Sequence, residues 1–246
     1  MECKNCTYQL KTEDKYCRQC GAQVINYHLS LKQLWSEFQL IFLNFDNTLI
    51  NTFWCLLLQP QKVIGSYIGG TRKKYLNVVS FFVIALTLAG FQLFIQRKFY
   101  PQSMEVRNMF GSDFSEMPSL DWMYKYYSLI QLISLPLYAF VAKLSFFKYK
   151  KFNYTEHLVI MTYLTAEYTI LSSIFMLIAV NFGGNMYELS NYYNLFFFLY
   201  TCYAYKKLYP LSWIDLFTAT VLFITIVIFL MIFLTIVGVG YAFITN

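Results

Sequence analysis

Charge is what this sequence has least of. Asp, Glu, Lys and Arg make up 13% of its 246 residues, about half the share usual in soluble domains. Histidine is nearly absent, with 2 in the chain, and proline is sparse at 5. Without a second His near Glu156-His157, no His-Glu-x-x-His zinc-protease motif can form. Gly65 to Gly70 has a phosphate-loop look, but Thr71-Arg72 stand where Lys-Ser/Thr is required, so that reading is rejected. No Ser-His-Asp or Cys-His set is present. Nor does an apolar core follow residue 1, where Cys and charged residues stand instead, so no cleavable signal peptide is expected.

What is abundant is apolar. Hydrophobic residues reach 58% and aromatics 21%, the composition of an integral membrane protein. Five segments read as spans: about 76–95, 126–147, 157–180, 189–205 and 213–244, each measured against the roughly 20 residues a bilayer crossing needs. The fourth is the shortest and the richest in Tyr. The net charge of +6 resides in Lys and Arg beside these segments, which suits orientation in a bilayer better than nucleic-acid binding.

Arg72, Lys73 and Lys74 precede the first span, Lys148, Lys150 and Lys151 separate the second from the third, and Lys206 and Lys207 separate the fourth from the fifth. The positive-inside rule therefore expects the N-terminus inside and the C-terminus outside. Arg97 and Lys98 run against this trend, in a 97–125 loop of mixed charge. Arg72, Lys73 and Lys74 could also grip anionic lipid, although setting topology is their ordinary role.

The first twenty residues hold Cys3-x2-Cys6 and Cys17-x2-Cys20, followed by Gly21. Two CxxC turns at this spacing are the ligand pattern of a four-thiolate, structural zinc site. Thiols kept in this form imply a reducing compartment, again placing the N-terminus in the cytosol. Cys55 and Cys202 are expected to be small buried hydrophobes. Between the head and the spans, Ser30-x-x-Gln33 opens an amphipathic helix with Leu31, Leu34, Trp35, Phe38, Ile41, Phe42 and Phe45 on one face. Asp46-Asn47 breaks it. A short helix from about Thr48 to Leu58 and another from Pro60 to Gly69-Gly70 follow. All three are expected to lie at the cytosolic surface. Leu40–Leu58 is nearly long enough to enter the bilayer, but Asn44, Asp46, Asn47 and Asn51 oppose that.

The expected fold is thus an all-α polytopic membrane protein: a zinc ribbon over 1–24, interfacial helices over 25–75, and five transmembrane helices over 76–246. Within it, Glu167 lies about 15 Å into the third span and shares a helix face with Glu156 and Tyr163. An acid at that depth usually faces protein or a water-filled cavity. The structural expectation is a neutral Glu167 hydrogen-bonded to a nearby Tyr or Thr. The functional one is a proton or substrate site, in which case Glu167→Gln should abolish function without changing membrane abundance. Glu156 suits the positive end of a helix capped by Asn153 or Thr155. With His157 it could also form an acid/base pair at headgroup level. Lys143 should snorkel, Pro136 should kink its span, and Gln92 and Gln131 sit at equal depth, which permits a hydrogen bond between helices.

The cysteine quartet, Phe45-Asp46-Asn47-Thr48, Thr52 through Leu57 to Pro60, Gly70-Thr71-Arg72-Lys73-Lys74-Tyr75 and Tyr154-Thr155-Glu156-His157-Leu158-Val159 occur in that order. In this the chain resembles domain-of-unknown-function family 3667, bacterial polytopic membrane proteins with an N-terminal zinc ribbon. It departs at Asn77-Val78, where that family usually reads Pro. The resemblance implies a cytoplasmic (inner) membrane location and no activity. The favoured role is an adaptor or assembly protein whose head meets a cytosolic protein partner, with the lipid bilayer as its other partner. The alternatives are a small transporter or channel built on Glu167, acting as an oligomer, and a headgroup-level enzyme built on Glu156 and His157.

Overall fold

The computed structural model describes residues 2–3, 5–11, 14, 16–21, 48–71, 74–104, 125–209 and 211–245. The amphipathic helix read over Leu31–Phe45, most of the 97–125 loop, Arg72 and Lys73 lie outside these residues. The chain divides into two compact units, Met1–Asp46 and Asn47–Asn246.

The second unit is helical throughout its described elements: α1 Thr48–Leu58, α2 Pro60–Ile68, α3 Val78–Phe99, a 3-10 turn Pro101–Met104, α4 Tyr127–Ser145, α5 Tyr154–Val180, α6 Met186–Leu208 and α7 Trp213–Thr245. Four of them, α3, α4, α5 and the Trp213–Leu230 part of α7, are long and apolar enough to cross a membrane. Large apolar side chains such as Phe94, Ile133 and Phe217 face outward, as a bilayer solvent permits and water does not.

Helix α5 is the hub, packed against α2, α3, α4 and α6. It runs parallel to α3: Phe81 meets Tyr163 near one end, with ring centroids 6.1 Å apart, and the Tyr100 hydroxyl donates to Asn181 Oδ1 at 2.8 Å near the other. It runs antiparallel to α6, with ring contacts at His157–Tyr205, Tyr168–Phe197 and Phe175–Tyr193. Its start is fixed by a capping box. Asn153 Oδ1 accepts from the Glu156 amide at 2.9 Å, and the Asn153 amide donates to Glu156 Oε2 at 2.6 Å. Pro136 lies inside α4 without ending it, and the Tyr154 hydroxyl donates to its carbonyl.

The corner between α1 and α2 is held by two tyrosines that the sequence does not announce. A helical carbonyl normally accepts from the amide four residues on. For Leu56 that residue is Pro60, which has no N–H. The Tyr200 hydroxyl of α6 donates to the Leu56 carbonyl instead, at 2.9 Å, and Tyr203 donates to Leu58 at 2.6 Å. Thr52, Leu56, Val63 and Ile64 are fully buried behind this corner. Thr52 Oγ1 also accepts from the Leu76 amide, Cys55 Sγ lies 3.3 Å from the Tyr75 hydroxyl, and Tyr163 donates to the Leu76 carbonyl. The Cys55 hydrogen bond and burial push the Tyr75 phenol up to about 12, so it remains protonated.

Tyr200→Phe strands the Leu56 carbonyl, and detergent-purified protein should lose about 1–3 kcal/mol of unfolding stability. Exposed Tyr192→Phe should stay within about 0.5 kcal/mol of wild type. Equal melting curves for the two variants would show that the Tyr200 bond does not hold the corner.

Candidate metal centre

In the first unit, Cys3-x2-Cys6 and Cys17-x2-Cys20 form two equivalent turns. The amide after each second cysteine returns to the carbonyl of the first: Thr7 to Cys3 and Gly21 to Cys17, both at 2.9 Å. That closure needs a left-handed residue after the second cysteine. Thr7 has φ 59° and Gly21 has φ 72°. Glycine adopts this conformation freely, whereas a β-branched threonine is strained there. A further Cys3 amide bond to the Tyr8 carbonyl and the antiparallel bridge of Glu2 with Gln9 hold the first turn. Cys3, Leu10 and Cys17 make a small core.

The four Sγ atoms lie within 4.8 Å of one another, with Cys6–Cys17 at 3.5 Å and Cys3–Cys20 at 3.7 Å. All four cysteines are free of disulfides. A tetrahedral ion bonded to sulfur at about 2.3 Å separates its sulfurs by about 3.8 Å, so the quartet fits one metal ion. Its electrostatics agree. A Tyr8 backbone hydrogen bond lowers the Cys6 thiol, but desolvation and the neighbouring Cys20, Cys17 and Cys3 sulfurs together push it up to about 12. Four thiolates this close need a cation between them.

Relieving the strain at Thr7 should tighten metal binding. Thr7→Gly is expected to strengthen it about fivefold, from about 1 kcal/mol of backbone strain, measured by chelator competition. A weaker site would mean that the Thr7 side chain contributes more than its strained backbone costs.

The other sequence candidates belong to the second unit. Glu156 belongs to the capping box. His157, 1% exposed, has Nδ1 3.0 Å from the Tyr205 hydroxyl and Nε2 3.2 Å from that of Tyr209. A neutral imidazole, with one donor and one acceptor nitrogen, satisfies both. Phe146 and Phe152 complete an aromatic cage around it. No ring nitrogen is left for a substrate, which removes the basis of the headgroup-enzyme reading. Lys151, one of the topology lysines, donates to the Leu208 carbonyl and so caps α6 where its dipole is negative. Lys74 and Lys143 are exposed.

Glu167 corrects the structural expectation. It is 0% exposed, yet neither carboxyl oxygen has a hydrogen-bond partner among the described residues. Tyr163, one turn below, is already bonded to Leu76. The expected Gln92–Gln131 bond does not form either. Gln92 donates to Gln96, and Gln131 donates to Tyr127. Partners four residues apart are delivered by the helix itself, whereas α3 packs chiefly on α5 rather than on α4. Cys55 and Cys202 are half-buried rather than buried.

Residues 46–90 match the family described as protein of unknown function (DUF3667). This supports the resemblance drawn from the residues themselves. No curated protein and no solved structure matches the chain. The DUF3667 segment covers α1, α2 and the first half of α3. Its Thr52, Leu56, Pro60 and Tyr75 are the residues that lock the α1–α2 corner to the rest of the second unit. The DUF3667 match stops short of the cysteine quartet, so the case for a metal rests on the sulfur geometry alone.

Proposed function

We propose that this protein is a membrane-anchored adaptor: a zinc-stabilised head displayed in the cytosol docks a protein partner, and the helical body holds it in the cytoplasmic membrane. The observation that carries the reading is the saturated sulfur shell. Four cysteines within 4.8 Å fill a tetrahedral ion's coordination and leave no open position for water, which is the mark of a structural rather than a catalytic zinc. A head of this size has too little core to fold without such a staple. Two features of the body favour anchoring over chemistry. His157 is caged, and the 490 Å³ cavity in the body is lined by α4, α5, α6 and α7 residues without Glu167.

The orientation follows from the same reading. The antiparallel register of α5 with α6 supports a fifth crossing. The 23 residues of α6 reach about 34 Å, and its rings follow α5 from Phe175 down to His157. Five crossings put the N-terminus on the lysine-bearing, reducing face and the C-terminus opposite.

The test is crosslinking and pull-down from native membranes, comparing wild type with Cys3→Ser/Cys6→Ser. An adaptor loses its partner in the variant at unchanged membrane abundance. A partner retained by metal-free protein would end the reading, and a reporter fused before residue 1 that is active outside would end the orientation.

A further inference from the structure

The 490 Å³ cavity between α4, α6 and α7 falls in the size range of small-ligand sites. Leu137, Phe197, Phe223 and Val227 line it with apolar surface, so it does not suit ordered water. Leu137 and Tyr138 belong to its wall and are also 45% and 37% exposed on the outer face of α4. The cavity is therefore reached from the side that faces the bilayer. At one end its wall is the stacked pair Phe146 and Tyr205, 4.5 Å apart. Three lysines adjoin that end in sequence: Lys143 follows Ala142, Lys148 lies two residues beyond Phe146 with Nζ over the Tyr149 ring, and Lys206 follows Tyr205 with Nζ over the Trp213 ring. Two acids stand there too, and both cap helix N-termini, Glu156 through Asn153 and Asp215 through Ser212; the Asp215 charge also faces Lys148, which a bound phosphate would share with it. Deeper in, Thr201 Oγ1 is buried without a hydrogen-bond partner among the described residues.

We propose that this cavity binds one acyl chain of an anionic phospholipid from the lysine-bearing leaflet, with the phosphate held by Lys143, Lys148 and Lys206. The chain supplies the apolar volume, and the cationic rim supplies the headgroup preference, at about fivefold per lysine. The inference rests on the membrane placement of these helices and not on the metal head.

Full-length protein in mild detergent, titrated separately with phosphatidylglycerol and phosphatidylcholine and followed by native mass spectrometry, tests it. One phosphatidylglycerol should be retained, at least about tenfold more firmly than phosphatidylcholine. Lys143→Gln/Lys148→Gln/Lys206→Gln should erase that preference and leave phosphatidylcholine retention unchanged. Thr220→Phe, which fills the cavity, should lower phosphatidylglycerol retention at least about tenfold. A diazirine-bearing acyl chain should crosslink to Thr201, Cys202 or Thr220 in wild type, a readout that does not depend on the filled variant folding. Equal retention of the two lipids, full retention by folded Thr220→Phe, or crosslinks confined to outward residues such as Phe217 and Ile228 would overturn the proposal. So would crosslinking evidence that residues 105–124 or a second copy of the chain fill the cavity instead.

Discussion

Cys3→Ser/Cys17→Ser should reduce the metal content of the purified protein from the single ion per chain proposed above, zinc, to nearly none, as read by elemental analysis. This is the largest effect expected of any substitution here. Structural zinc contributes on the order of 10–16 kcal/mol to small domains at neutral pH, far beyond what the Cys3, Leu10 and Cys17 core supplies. The head should therefore lose protease resistance while the helical body keeps its melting temperature. The pH dependence has a definite sign. Without metal the Cys6 sulfur holds its proton, with its thiol pushed up to about 12, so binding an ion displaces protons and affinity rises with pH. Acidification should release zinc, and each binding event near neutral pH should release protons measurable in a weakly buffered titration. A variant that retains one zinc, or an affinity indifferent to pH, would show that the quartet is not the ligand set.

Glu167→Met should stabilise the protein. A fully buried carboxyl without a hydrogen-bond partner among the described residues carries a desolvation cost of about 1–3 kcal/mol, and methionine fills similar space without polar atoms. For a chain of this size the melting temperature in detergent should rise by about 2–12 °C. Glu167→Gln leaves an equally stranded amide and should change stability little. A lower melting temperature for Glu167→Met would mean that the carboxyl is satisfied by a group such as a bound ion or water, which would revive the transport reading. Stabilisation together with loss of a cellular phenotype would mark Glu167 as an acid kept for function at the expense of stability.

Much of the helical layout is legible from hydropathy. The five apolar segments correspond to α3 through α7, with ends moved by about a turn. α5 begins earlier than its apolar run because Asn153 and Glu156 define its first turn by capping. α6 extends beyond its run at both ends, since Glu188, Lys206 and Lys207 end the apolar run without ending the helix. The cysteine spacing likewise marks the metal quartet before any coordinates exist. The partners of the buried polar groups were not legible. Tyr200 and Tyr203 are two of the tyrosines that make the fourth segment the richest in Tyr, and nothing in that pattern marks them as holding the α1–α2 corner. Lys151 looked like a topology marker, although it caps α6. Thr7 gave no sign of its left-handed backbone beyond occupying the place that Gly21 takes in the second turn.

Helix positions and the gathering of the four cysteines were determined by the sequence alone, because each depends on neighbours within a turn or two and on the chemistry of single side chains. Tertiary structure alone decided that the Leu56 carbonyl would be answered from α6, that His157 would be caged and that Glu167 would be left unanswered. Those outcomes depend on residues brought together across 144 positions for Tyr200 with Leu56, and 48 for Tyr205 with His157. No local periodicity encodes which face of one helix meets which face of another, and a buried polar atom has a partner only where that packing supplies one.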